Sequence, residues 1–142
     1  MKLVDTNVLL YAAKAGSAHH ADAGGWMNAA LSRQEPVGFA WLALVGFIRI
    51  ATHPGITDPP LSRVQALGLV DLWLGAPSAH ILQPGPSHPA LLREALAAAG
   101  PSPNLLNDAH LAAIAREHKA TVMTFDSDFG QFPGIRWEQP RR

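Results

Sequence analysis

Four of the chain's 11 acidic residues, Asp5, Asp108, Asp126 and Asp128, stand where their carboxylates can act together. Asp5 closes the run Lys2-Leu3-Val4 and opens Asp5-Thr6-Asn7, whereas Asp126 and Asp128 follow Thr121-Val122-Met123-Thr124-Phe125. Asp108 lies in Asn104-Leu105-Leu106-Asn107-Asp108-Ala109-His110-Leu111. Crowded carboxylates repel and raise one another's pKa unless a cation intervenes. The chain has no Cys, so the donors on offer are hard oxygens, which favour Mg²⁺ or Mn²⁺. Such an ion activates water and stabilises a leaving oxygen, and the chemistry indicated is phosphodiester hydrolysis.

Each acid also has a plainer role. Asp5 can cap a helix beginning at Thr6, and Asp108 can complement the positive end of a helix. Asp126 and Asp128 can form an Asx-turn and a cap. Joint placement favours a site. On a helix, Asp108 shares the inward stripe of Leu105, Ala112 and Ala115, and a carboxylate there needs a partner, a proton or a metal.

Bringing these acids together requires a particular scaffold. The pattern predicts short strands at Lys2–Asp5, Val37–Ala40, His80–Gln83, Thr121–Phe125 and Ile135–Trp137. Helices are expected at Thr6–Ala13, Ala18–Ser32, Trp41–Thr52, Leu61–Leu74, Pro89–Ala99 and Leu105–His118. Leu61–Leu74 carries Val64, Leu67, Val70 and Leu74 at helical spacing, with Ser62 as its cap. Short strands alternating with helices imply an α/β fold, a parallel sheet covered on both faces. Ligands then bind beyond the carboxyl ends of the strands, where Asp5 and Asp126 fall.

Composition bounds the rest. The 142 residues fit a single domain spanning 1–142. A chain that is 48% hydrophobic and 15% charged is not disordered. Lys and Arg number 11 against 11 acids, which argues against broad electrostatic binding of nucleic acid. Asp5 interrupts any signal-peptide apolar region, and Val37–Ile48 is too short to span a bilayer. The expectation is a soluble, cytoplasmic protein with no membrane role.

Other conspicuous residues point to structure. Adjacent His19 and His20 diverge on a helix and cannot chelate together, while His110 and His118 face away from the Asp108 stripe. His53, at a helix end, suits the dipole. Trp26, Trp41 and Trp73 read as core or interface, and no aromatic is interleaved with basic residues as a base-stacking platform would be. Arg49 emerges from an apolar helix near the expected crevice, where it can hold a phosphate, pair with a carboxylate or reach solvent. Phe39–Ile50 is apolar nearly all round, so it is either deeply buried or covered by a partner.

The chain resembles PIN-domain ribonuclease toxins of the VapC type, in their mycobacterial branch. The resemblance rests on Leu3-Val4-Asp5-Thr6-Asn7-Val8-Leu9-Leu10-Tyr11, Asn107-Asp108-Ala109-His110-Leu111-Ala112-Ala113 and Thr124-Phe125-Asp126-Ser127-Asp128-Phe129. Phe39-Ala40-Trp41, Gly46-Phe47-Ile48-Arg49-Ile50-Ala51-Thr52 and Phe132-Pro133-Gly134-Ile135-Arg136-Trp137 extend it across the chain. It implies an α/β/α sandwich with strand order 3-2-1-4-5 and a Mg²⁺- or Mn²⁺-dependent endoribonuclease whose metal-activated water attacks RNA. By the same resemblance Asp5, Asp108 and Asp126 are metal ligands and Asp128 is a further ligand or supporting group. Asn7 and Thr124 would orient carboxylates or water. The implied partners are RNA, a second copy in a homodimer, and a VapB-type antitoxin docking along Phe39–Ile50 with a basic residue placed among the carboxylates.

One position departs from the pattern. Gly46 stands where the family commonly has Glu, three residues before Arg49, so the alternative is a catalytically weakened PIN-like module that binds antitoxin or RNA. A phosphoryl-transfer enzyme is disfavoured, because Asp5-Thr6-Asn7 offers no second acid two residues on and no Gly-rich phosphate loop exists.

Overall fold

The computed structural model describes every residue from Met1 to Arg142. Five strands form one parallel sheet in the order β3-β2-β1-β4-β5. They are β1 (Lys2–Val4), β2 (Val37–Phe39), β3 (Ala79–Ile81), β4 (Thr121–Met123) and β5 (Arg136–Glu138). The helices are α1 (Thr6–Ala13), α2 (His20–Ser32), α3 (Trp41–Ala51), α4 (Arg63–Leu74), α5 (His88–Ala98) and α6 (Leu105–Glu117). A short 3-10 helix covers Ser127–Gln131. The expected architecture and strand order are both present, and no helix is long and apolar enough to cross a membrane.

Alternation along the strands divides the core into two layers. Leu3 and Val122 face Ala109, Ala112 and Ala115 of α6. Val4, Val37 and Phe39 face the opposite layer, with Val8, Met27, Phe47 and Trp73. Neighbouring side chains of a strand point to opposite faces, so Leu3-Val4 alone serves both layers. The Asp5 N–H donates to the Met123 carbonyl at 3.0 Å, joining the ends of β1 and β4.

Boundaries shift by one or two residues, as strand and helix ends commonly do. β3 begins at Ala79 rather than His80, although Leu82 still donates to the Phe39 carbonyl at 2.8 Å. β4 ends at Met123, because Thr124 and Phe125 turn away to serve the carboxyl edge. Two helices differ more from expectation. α4 buries Ala66, Val70 and Trp73, leaving Val64 and Leu67 exposed. Its Ser62 forms the expected cap, completed as a capping box by Gln65. α3 buries Ala43, Leu44, Phe47 and Ala51, while Trp41, Leu42 and Val45 are exposed; of the core and interface roles expected for Trp41, the structure excludes the first.

Phe47 is fully buried and meets Trp73 edge-on, with ring centroids 5.0 Å apart. This contact fixes α3, and hence one wall of the crevice, against α4. Phe47→Ala should cost about 3–5 kcal/mol, read from the shift in urea midpoint. A cost below about 1 kcal/mol would contradict this packing.

Candidate metal centre at the carboxyl edge

Three of the four singled-out acids line one cavity of about 300 Å³ beyond the carboxyl ends of the strands: Asp5, Asp108 and Asp126. Asp5 gets there because it ends β1 and caps α1, its Oδ1 accepting from the Thr6 N–H at 2.7 Å. Asp126 caps the 3-10 helix, with Oδ1 accepting from the Asp128 N–H at 2.9 Å. The plain capping roles and the placement in the crevice are thus one and the same geometry. Asp108 stands in the first turn of α6.

The network around Asp5 is nearly saturated. The fully buried Thr124 hydroxyl donates to Asp5 Oδ2 at 2.7 Å. It accepts from Asn7 Nδ2 at 3.1 Å and from the Asp126 N–H at 3.0 Å, which uses one donor and two acceptor sites, all that a hydroxyl has. Asn7 Nδ2 also reaches Asp5 Oδ2 at 3.2 Å, and Asn7 Oδ1 accepts from the Phe125 N–H at 3.2 Å. Asn7 and Thr124 therefore hold the Asp5 carboxylate by hydrogen bonds.

Asp128 lies differently. It is exposed and outside the cavity lining, and it acts on the site through its charge. Arg49 lines the cavity without an ion pair, since the three ion pairs of the chain all lie elsewhere. Gly46 lines it too, and a Cβ there would come 3.1 Å from Thr6 Oγ1. Sequence reasoning assigned no role to Thr6, Asn104 or Asn107, which also line the cavity. Their signal was adjacency: Asn104 and Asn107 sit one helical turn apart, beside Asp108.

The electrostatics follow from crowding and burial. Burial pushes Asp5 above the usual carboxylate range, against the lowering effect of the Thr124 and Thr6 hydrogen bonds; the charge of Asp126 raises it further. Asp108 is raised to about 7, first by burial and then by the charges of Asp5, Asp126 and Asp128. Its side chain makes no hydrogen bond within the protein. The donor set therefore suits a hard divalent cation, which would relieve this repulsion. No three acidic or imidazole groups converge on a common point at ligand distance. That arrangement fits an ion taking one or two carboxylates and completing its shell with water, as Mg²⁺ does.

The remaining expectations concern His and Trp. His19 stacks on Phe125 with centroids 4.4 Å apart, while His20 Nδ1 lies 2.9 Å from the Tyr11 carbonyl oxygen. His110 meets His88 across α5 and α6 at 2.8 Å, and burial together with His88 lowers its pKa. Trp73 is core, and Trp26 packs at the edge of the same layer.

The raised pKa of Asp108 carries a sign for stability. Between the ordinary value of 3.8 and about 7, the folded state holds a proton that the unfolded state has released. Asp108 therefore withdraws stability from the metal-free protein as pH rises through that window, while the lowered pKa of His110 acts in the opposite direction below its ordinary 6.5. In EDTA, the Tm of Asp108→Asn relative to wild type should increase between pH 3.8 and about pH 7 and level off above it. A Tm difference between Asp108→Asn and wild type that does not grow across the window would contradict the electrostatics.

Comparison with known proteins places this chain in a family. Residues 2–135 match the PIN domain model. Over 140 residues the chain is 49% identical to Ribonuclease VapC37 of Mycobacterium tuberculosis, covering 99% of this chain and 97% of that protein. It is 33% identical over 142 residues to Ribonuclease VapC33 of the same species, covering 100% and 99%. Among solved structures, M. tuberculosis VapC20, a sarcin–ricin loop cleaving toxin, matches with a TM-score of 0.67 at 18% identity, covering 96% of this chain and 99% of that one. VapBC2 from Rickettsia felis, bound to a promoter DNA fragment, matches with a TM-score of 0.70 at 14% identity, covering 98% of each chain; these two likenesses concern the fold. The chain belongs to the PIN-domain family, in its VapC branch.

Proposed function

We propose that this protein is a Mg²⁺- or Mn²⁺-dependent endoribonuclease of the VapC toxin type, restrained by a VapB-type antitoxin. The observation that carries the reading is the cavity at the carboxyl edge, where Asp5, Asp108 and Asp126 meet with no cation paired to them. The ribonuclease names of curated relatives across their full length support it.

The chain's residues divide the work. Thr124, Asn7 and the Thr6 N–H hold the Asp5 carboxylate in one orientation. Asp126 is anchored by one oxygen and leaves Oδ2 without a protein partner. Asp108 presents a carboxylate that nothing in the protein satisfies. One or two of the Asp5, Asp108 and Asp126 carboxylates would hold the divalent ion directly and the rest would reach it through its water, with Asp128 adding negative charge from outside. When bound, the ion supplies a Lewis acid for the phosphoryl oxygen and lowers the pKa of water. Among the carboxylates that position is electropositive only while the ion is bound, which couples RNA cleavage to metal.

The exposed Trp41, Leu42 and Val45 continue from the cavity rim along α3. An apolar surface beside a charged cavity suits an antitoxin segment that covers both, and the same helix can contribute to a homodimer. An antitoxin that left metal affinity and cleavage untouched would contradict this inhibitory role.

The decisive assay is RNA cleavage in Mg²⁺, Mn²⁺ and EDTA. Cleavage should require the ion and fall to background in Asp108→Asn; equal activity in wild type and Asp108→Asn would remove the site assignment. Thr124→Val keeps the shape but loses the hydroxyl, and should reduce metal affinity or activity by about 10–100-fold. Its metal affinity can be read by calorimetry independently of turnover.

A further inference from the structure

We infer that Arg49 is a substrate-binding residue that holds a phosphate of the RNA strand next to the one being cleaved, and that Gly46 leaves it free to do so. The inference deepens the ribonuclease reading and rests on it. Arg49 is the one basic side chain among the residues lining the carboxylate cavity. Three acids line that cavity, yet Arg49 pairs with none of them, nor with any other carboxylate. A guanidinium with five donors and no protein partner, beside a cavity that would take a phosphodiester, has the chemistry for bidentate phosphate recognition.

α3 explains why the guanidinium is unpaired. Residues three apart on a helix are neighbours on one face, and an acid at that spacing ties up a basic side chain. The position three before Arg49 is Gly46, which offers no side chain. Gly46 and Arg49 both line the cavity. Gly46 lies close against Thr6, where an added Cβ would stand 3.1 Å from Oγ1. The α3 wall therefore presents a cation and open space, whereas the wall formed by Asp5, Asp108 and Asp126 presents only acid. A loaded metal and Arg49 would mark two positive points for successive phosphates of one strand. Asn104 and Asn107 of α6 line the same cavity with amides suited to sugar or base edges.

The test separates binding from turnover. The full-length protein carrying Asp126→Asn, to slow cleavage, is titrated in Mg²⁺ with a fluorescein-labelled, unstructured RNA of about 20 nucleotides, across a range of salt. Adding Arg49→Ala should weaken binding about tenfold or more. It should also reduce the slope of log K against log salt by about 0.7, the signature of one lost phosphate contact on a single strand. Arg49→Lys should keep the slope while recovering only part of the affinity. Because Arg49 is exposed, Tm should not move, so a merely structural role is distinguishable. In a Gly46→Glu background, the loss on Arg49→Ala should shrink, as a double-mutant cycle reads it; an undiminished loss overturns the part assigned to Gly46.

Unchanged affinity and slope in Arg49→Ala overturn the proposal, as does an absence of any RNA binding. The ribonuclease reading fails separately: protein with Asp126 intact that cleaves no RNA in Mg²⁺ or Mn²⁺ defeats that reading, even where Arg49-dependent binding persists.

Discussion

The site depends on one hydroxyl. Thr124 is the first residue after β4, fully buried, and its Oγ1 joins Asp5, Asn7 and the Asp126 N–H in a single set of hydrogen bonds. A desolvated carboxylate such as Asp5 is costly unless its lone pairs are satisfied. Here the satisfying groups come from α1 and from the residue that closes β4. Asp5 can occupy its place only while β1 and β4 are adjacent and in register, Val4 opposite Met123. The central sheet pairing and the orientation of the carboxylate are therefore one constraint. Anything that loosens the β1–β4 edge disorders the chemistry first.

Around that fixed point the protein accumulates charge instead of cancelling it. Equal totals of acidic and basic residues would let every acid find a partner, yet the three ion pairs all lie away from the cavity. Asp108 shows the consequence, held to about 7 by burial and by three neighbouring acids. Natural proteins tolerate such frustration mainly at functional sites. A bound divalent ion changes its sign, since the local charge that a phosphate meets is then set by the metal more than by the carboxylates. The neutral overall balance thus excludes a broad basic surface and says little about the one place where nucleic acid would be handled.

Most of the scaffold was legible because its signals are local. Runs such as Val37-Gly38-Phe39 and Thr121-Val122-Met123 are short, apolar and bounded by turns, and their alternation with helices leaves little choice but a parallel sheet. The rule that ligands bind beyond strand ends then located Asp5 and Asp126, and helical spacing located Asp108. Other features were not local. α4 carries apolar residues on several faces, and only packing against α3 selects Ala66, Val70 and Trp73 over Val64 and Leu67. Asp126 and Asp128 look equivalent in sequence, but the 3-10 turn leaves one lining the cavity and the other in solvent. Thr6, Asn104 and Asn107 joined the site through tertiary placement, with closeness in sequence to Asp5 and Asp108 as their only signal.

α3 shows how these levels meet in one element. Its buried stripe of Ala43, Leu44, Phe47 and Ala51 locks it to the core. Leu42, Val45, Gly46 and Arg49 form part of the cavity wall, and Trp41, Leu42 and Val45 are exposed. A helix must be apolar on several sides to serve both the core and the cavity rim, which accounts for much of the nearly unbroken hydrophobic run that a simple amphipathic pattern does not explain. The two departures from that run are then informative. Gly46 removes a side chain where the helix approaches Thr6, and Arg49 supplies the only charge that α3 carries. Both fall on the face turned to the carboxylates, so the two exceptions of α3 are concentrated at the cavity.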